Sequence, residues 1–462
     1  MSDYNLIVIG AGPGGYNAAL RAAKLGLKTM VVDAREAGGT CLNRGCVPTK
    51  ALLHASSAYR EIAKAEEFGI HAGNVEVNLG EVFDYKNRIT STLSQGIEGL
   101  FKGAKIPFVK GRGRILEPGL VEVVTEEGEV TRYTGDNILI ATGSVPMRPP
   151  IPGLDLPGVL TSDEILEGDS RLYESIVIIG GGVIGVELAT FYAEMGSKVT
   201  IVEGLERLLP NMDKELGQNL SLILKKQGVE INTGAMVQRV EESPDGLKVV
   251  FESKGEEKEA LGEKVLCAIG RMPFTEGLFT ENLQPEMAGR RIKVDENFQT
   301  SLPGVYAIGD VSSEVQLAHV AAVQGIFCVE KLAGVTPEVN LNLIPGCIYC
   351  SPEIASIGMT EAEAKEKGIP VKVGKCVMGG NARTLILGAP RSFMKVVGNG
   401  ETGRIIGAQL MCTNASDMIS QLGVAIAKGM SPKDLMEVMR PHPTYEEALE
   451  EALLDLSAKL TK

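Results

Sequence analysis

No stretch of this 462-residue chain approaches the roughly 20 consecutive apolar residues that a membrane-crossing helix needs, so no spanning helix is expected. Basic charge is in deficit: 46 Lys and Arg stand against 59 Asp and Glu, a net charge of −13, which argues against a nucleic-acid surface. The amino terminus, Met1-Ser2-Asp3-Tyr4-Asn5, has no basic region ahead of an apolar run. No signal peptide is therefore expected, and the reading is a cytoplasmic protein. In that compartment a disulfide is more readily catalytic than structural. Histidine is scarce, with only His54, His71, His319 and His442. Cys347 and Cys350 form a C-x-x-C, but no second one completes a zinc site, and no metal is expected. Their short segment reads as a strand between prolines, where residues three apart face opposite sides, so the pair reads as structural. Cys267, Cys328, Cys376 and Cys412 stand alone among apolar neighbours and read as small buried side chains.

Glycine is plentiful, at 55 residues, and its placement is informative. Leu6-Ile7-Val8-Ile9 reads as a strand, followed by Gly10-Ala11-Gly12-Pro13-Gly14-Gly15, a G-x-G-x-x-G turn into a helix that Gly26 closes. Lys28 to Asp33 reads as the next strand. In such a unit Gly10 makes the tight turn, Gly12 admits a pyrophosphate and Gly15 lets helix and strand pack closely. The helix N-terminus offers amide donors to phosphate, and Asp33 a carboxylate to a ribose.

The unit occurs twice, 170 residues apart. Gly10, Gly12 and Gly15 map to Gly180, Gly182 and Gly185, Gly26 to Gly196, and Asp33 to Glu203. Two copies predict two dinucleotides in one chain. Glu203 would accept from ribose hydroxyls and repel a 2′-phosphate, and Arg207 alone, beside Glu203 and Glu206, makes a poor phosphate clamp. The balance favours NAD over NADP.

Cys41 and Cys46 lie just after the first unit, in Thr40-Cys41-Leu42-Asn43-Arg44-Gly45-Cys46-Val47-Pro48. Five residues of regular helix rise about 7.5 Å, whereas a disulfide spans Cα atoms about 4.4–6.8 Å apart. If these cysteines pair, the backbone between them must bend, with Gly45 and Pro48 as the residues that allow it. A cysteine pair beside two dinucleotide sites suggests nicotinamide, flavin and disulfide in series.

Further signals mark where modules meet. Asn137 to Pro146 reads as a strand and a turn (Thr142-Gly143-Ser144), and a proline-rich linker runs from Pro146 to Pro157. Val265 to Arg271 has the same strand-then-glycine form and would close the second module with Gly270 and Arg271. Gly304 to Asp310 is a further strand ending in Gly-Asp. Beyond about Asn340 no nucleotide signature remains, and this tail is a candidate for oligomerisation. It carries His442 between two prolines, with Glu447 five residues on; a histidine oriented by a carboxylate suits a proton shuttle for a thiol, and a capping or merely solvated histidine is the alternative.

Together these motifs resemble the pyridine nucleotide–disulphide oxidoreductase family, over essentially the whole chain, and within it the branch that oxidises dihydrolipoamide. The resemblance rests on Gly38 to Lys50, Ala141-Thr142-Gly143, Gly309-Asp310, and His442-Pro443-Thr444 with Glu447. It implies an α/β fold with two Rossmann-like domains and a C-terminal α+β dimerisation domain. The implied boundaries are 1–145 (FAD, first segment), 146–272 (NAD), 273–340 (a central domain completing the FAD site) and 341–462 (interface). It implies FAD and NAD as cofactors, a homodimer, and a lipoyl-bearing protein of a multienzyme complex as substrate; with no amino-terminal lipoyl domain here, that group is expected on another protein.

By the same resemblance Cys46 is the thiol nearer the flavin and Cys41 the one that exchanges with substrate. His442 of the other chain is the acid/base, oriented by Glu447. Lys50 resembles the lysine at the flavin edge, with Glu187 its carboxylate partner. Asp310 would hold the ribitol, and Gly113 and Thr142–Ser144 would line the FAD site. Asp33 stands where the family commonly has Glu, and Tyr445 where a smaller residue is common. The alternative is a glutathione-reductase-like enzyme using NADPH, against which the missing arginine cluster counts.

Overall fold

The computed structural model describes residues 2–168, 170–389 and 391–461. The first sheet is built on β1 (Tyr4–Ile9) and β2 (Thr29–Asp33), joined by α1 (Pro13–Lys24). These strands are parallel and buried on both faces, which is why they read as unbroken apolar runs. Phe108–Lys110 extends the sheet beyond β2, and Val130–Ile140 pairs with the other edge of β1. An antiparallel meander, Arg112–Glu117 and Leu120–Val124, hangs from Val130–Ile140.

The second sheet repeats the first. Ser175–Ile179 and Lys198–Glu203 are parallel neighbours, and Val183–Glu194 is the crossover helix. Its ends lie 170 residues beyond those of α1, so the internal repeat seen in the glycines extends to the secondary structure. Glu230–Thr233, Lys264–Cys267 and Val159–Leu160 complete an all-parallel sheet.

The chain then returns to the first sheet. Val305–Ala307 pairs in parallel with Ile138–Ile140, and the helix Ala318–Leu332 packs on α1. That contact is close because it is made of glycines: a Cβ on Gly325 would lie 2.5 Å from the carbonyl oxygen of Gly14. Within residues 273–340 the chain thus adds a strand and a helix to the first sheet, and a short hairpin, Met287–Ala288 with Arg291–Ile292, beside them.

The remaining chain forms a five-stranded antiparallel sheet from Gly346–Ile348 to Ile405–Met411, covered by the helices Ala415–Ala427 and Glu446–Leu460. Leu449, Leu453 and Leu456 are fully buried there, one or two turns apart on one helix face. An ion pair between Lys395 and Asp213 (2.7 Å), both almost fully buried, ties this sheet to the second domain. Among the described residues no helix is long and apolar enough to cross a membrane.

Candidate active site

Both glycine turns open on one cavity of about 1810 Å³. Single-ligand pockets commonly measure about 300–1,000 Å³, so this volume suits two dinucleotides. The turns show the same division of labour. Gly10 and Gly180 have φ of +111° and +113°, and a Cβ on Gly15 or Gly185 would lie 1.8 or 2.0 Å from the carbonyl oxygen of the first glycine. Around the middle glycine, by contrast, the protein leaves room. A Cβ on Gly12 would meet only Gly39 Cα at 3.8 Å, and one on Gly182 would meet nothing within 4 Å. The space a side chain would fill there is what a pyrophosphate needs. The residues fit the two groups.

The acids repeat as well. Asp33 accepts from the backbone N–H of Ala11 (2.6 Å) and Arg35 (2.9 Å). Glu203 accepts from Gly181 (2.5 Å) and Leu205 (2.7 Å), the positions 170 residues on. Asp33 thus matches the glutamate hydrogen bond for hydrogen bond despite its shorter side chain. Burial raises the Asp33 pKa, against the two N–H donors that favour its charged form.

Gly113, Thr142, Gly143, Ser144, Asp310 and Gly270 all line the cavity. Ser144 Oγ donates to Asp310 Oδ2 at 2.6 Å, and burial raises the pKa of that aspartate. Arg271, expected to bind cofactor at the close of the second module, lines the cavity and also bonds across to the first domain. Its Nε donates to Ser144 Oγ (2.9 Å), another nitrogen donates to the Ser144 carbonyl (2.7 Å), and Asp163 lies 3.5 Å away. It therefore locks the return of the chain to the first domain. Gly14 lines the cavity too, while its backbone serves the helix contact with Gly325.

The cysteines sit where two helices meet. Cys41 lies in α2 (Gly39–Arg44), and Cys46 is the first residue of α3 (Cys46–Ala63). Gly45 separates them, and a Cβ there would be 2.9 Å from the Thr40 carbonyl oxygen. Pro48 lies in the first turn of α3 and has no N–H to offer the carbonyl of Arg44, where α2 ends, so the two helices cannot run on as one. Both sulfurs are free thiols and both face the cavity. They are not equal. The Cys46 thiol is lowered to about 7, first by the hydrogen bond from Cys41, then by Lys50, with burial opposing. Cys41 is pushed well up by donating that hydrogen bond and by burial.

Lys50, one turn along α3, places its Nζ 2.7 and 2.9 Å from the two carboxylate oxygens of Glu187. Burial acts against the ammonium, but Glu187 and Cys46 outweigh it and the Lys50 pKa is raised. His442 Nδ1 lies 2.8 Å from Glu447 Oε1, whose other oxygen accepts from the Thr444 N–H at 2.8 Å. That hydrogen bond to the imidazole, then the one from Thr444, lowers the Glu447 pKa. The pair is formed, but it is not part of the cavity wall: the His442 side chain is 74% exposed. Within one chain the structure does not bring His442 to the cysteines.

Sequence reasoning missed Tyr349, which sits in the C-x-x-C set aside as structural. Its ring lies over Lys50 Nζ at 4.7 Å, and its N–H donates to Glu187 Oε1 at 3.0 Å. No local pattern marks this contact, because the two partners are distant in sequence. Of the flanking cysteines, Cys350 is buried and Cys347 half-buried; Cys267, Cys328, Cys376 and Cys412 are buried as expected.

The sequence profile described as pyridine nucleotide-disulphide oxidoreductase matches residues 4–325, and that of the same family's dimerisation domain matches residues 344–453. The chain is 41% identical over 457 residues to a dihydrolipoyl dehydrogenase of Bacillus subtilis (strain 168), covering 97% of this chain and 96% of that one. It is 39% identical over 460 residues to the mitochondrial dihydrolipoyl dehydrogenase of Pisum sativum, covering 98% and 91%. LpdA from Mycobacterium tuberculosis superposes with a TM-score of 0.89 at 26% identity, covering 98% of this chain and 99% of that one. With both glycine turns, the cysteine pair and the C-terminal sheet inside the matched regions, the chain belongs to the pyridine nucleotide-disulphide oxidoreductase family.

Proposed function

We propose that this chain, as a homodimer, oxidises protein-bound dihydrolipoamide to lipoamide with NAD⁺ as acceptor, using Cys41 and Cys46 as a redox disulfide. The observation that carries the reading is the pair Cys41 and Cys46, joined through the turn at Gly45, on the wall of a cavity that both glycine turns share. A substrate thiolate attacks Cys41 in the disulfide form; the S–S bond breaks and Cys46 leaves as the thiolate. The second substrate sulfur then attacks the mixed disulfide, releasing lipoamide and the Cys41 thiol. Cys46 is suited to leave because a low-pKa thiol departs more readily. Of the two substrate protons one ends on the Cys41 thiol and the other on His442 of the partner subunit, with Glu447 holding the imidazole at Nδ1 so that Nε2 is the working atom. Bound FAD supplies the two-electron link between the dithiol and NAD⁺. Lys50, held by Glu187, supplies a positive charge beside Cys46. The lipoyl group is carried on another protein.

The test is turnover by purified holoenzyme, followed as NADH formed from dihydrolipoamide and NAD⁺. Reduced glutathione with NADP⁺ should give at most a trace. The opposite preference would favour the glutathione-reductase-like alternative.

A further inference from the structure

Three domains meet at one ammonium group. Lys50 comes from α3 in the first domain, Glu187 from the helix Val183–Glu194 in the second, and Tyr349 follows the strand Gly346–Ile348 of the C-terminal sheet. Glu187 is almost fully buried, and its Oε1 receives both Lys50 Nζ (2.9 Å) and the Tyr349 N–H (3.0 Å). The Tyr349 ring covers Lys50 Nζ from another side, 4.7 Å from the ring centroid. Cys46 and Cys41 face Lys50 from its own domain; from the C-terminal domain Cys350 faces Glu187, Cys347 faces Lys50 and Tyr349, and Glu353 and the Ser416 hydroxyl face Tyr349.

A lysine side chain is long and free to rotate, and the Glu187 bonds hold its ammonium from one side only. An aromatic face adds a second hold, since it attracts a cation. We propose that Tyr349 is a positioning residue: its ring and its N–H, supplied by the C-terminal domain, hold the Lys50–Glu187 pair beside Cys46 of the same chain. The C-terminal domain then contributes twice to the chemistry, once through His442 and once through Tyr349. This inference rests on the proposed redox role of Cys46.

The test reads Cys46 itself. Reduced holoenzyme is alkylated with iodoacetamide across a pH series, and modification of Cys46 is quantified by peptide mass spectrometry. Tyr349→Leu should move the midpoint upward by roughly half a pH unit, as the loss of a cation–π contact implies. Tyr349→Phe should leave it in place, because the ring and N–H remain. In a Lys50→Met background, Tyr349→Leu should add no further shift, which a general packing defect would still produce. An unmoved midpoint in Tyr349→Leu overturns the proposal, as does an equal shift with Lys50 already removed. Because the readout is the titration of Cys46 and not turnover, it stands apart from the substrate assignment: a failed lipoamide assay with these shifts intact would fault only that assignment.

Discussion

Lys50 and Glu187, from two different segments of the chain, form a bidentate ion pair with Nζ–O distances of 2.7 and 2.9 Å, adjoining Cys46, one of the two cysteines of the proposed redox pair. The pair makes the cysteine chemistry depend on how the domains are packed. Removing the cation should therefore be visible at the sulfur.

In the reduced enzyme the Cys46 thiolate should titrate near pH 7. Lys50 favours the charged form, so Lys50→Met should shift the midpoint to higher pH. Between the two midpoints the wild type would be mostly thiolate and the variant mostly thiol. The long-wavelength thiolate–flavin absorbance against pH checks this, and a downward shift would reverse the assigned electrostatics.

The two thiols should behave differently when replaced. Cys41→Ser should keep the long-wavelength absorbance after reduction, because the Cys46 thiolate survives. Cys46→Ser should abolish it. The opposite pattern in the spectra would mean the two roles are exchanged.

NADH should reduce the protein at least about tenfold more efficiently than NADPH, as kcat/KM; a carboxylate facing a 2′-phosphate needs to cost only about 1.4 kcal/mol for that. Glu203 is held in place by Gly181 and Leu205, while Arg207 is turned onto the Pro210 carbonyl at 2.6 Å. Glu203→Ala combined with Gly204→Arg should narrow the preference. Equal steady-state rates with both nucleotides in the wild type would reject the assignment.

His442→Gln should lower lipoamide turnover at least about 100-fold, the lower end of what acid–base help supplies. NADH-to-dye activity should persist, since that route bypasses the disulfide. Mixing Cys41→Ser with His442→Ala should restore activity once subunits exchange, because some mixed dimers hold one complete site. Mixed dimers that form yet stay inactive would place both groups within one chain. Deleting the chain from Asp434 is a poorer probe, because it removes Leu449, Leu453 and Leu456 from the core of the C-terminal domain.

The local sequence was enough for everything that depends on spacing along one strand–turn–helix. Gly10, Gly12 and Gly15 act over a few residues, so their spacing defines the turn wherever it occurs, and the 170-residue repeat carried it over to the second copy. The Asp33 and Glu203 positions were legible for the same reason. Gly45 and Pro48, expected to let the backbone bend between the cysteines, stand where the two helices meet: a Cβ on Gly45 would crowd the Thr40 carbonyl, and Pro48 has no N–H to offer Arg44. Tertiary structure alone decided what joins distant segments. It directed Arg271 to Ser144 and Asp163, and it set Tyr349 over Lys50. It also left His442 outside its own chain's cavity. Ion pairs and ring contacts between domains have no period and no fixed spacing. They arise when independently formed elements pack, and only the packed chain reveals which charge finds which partner.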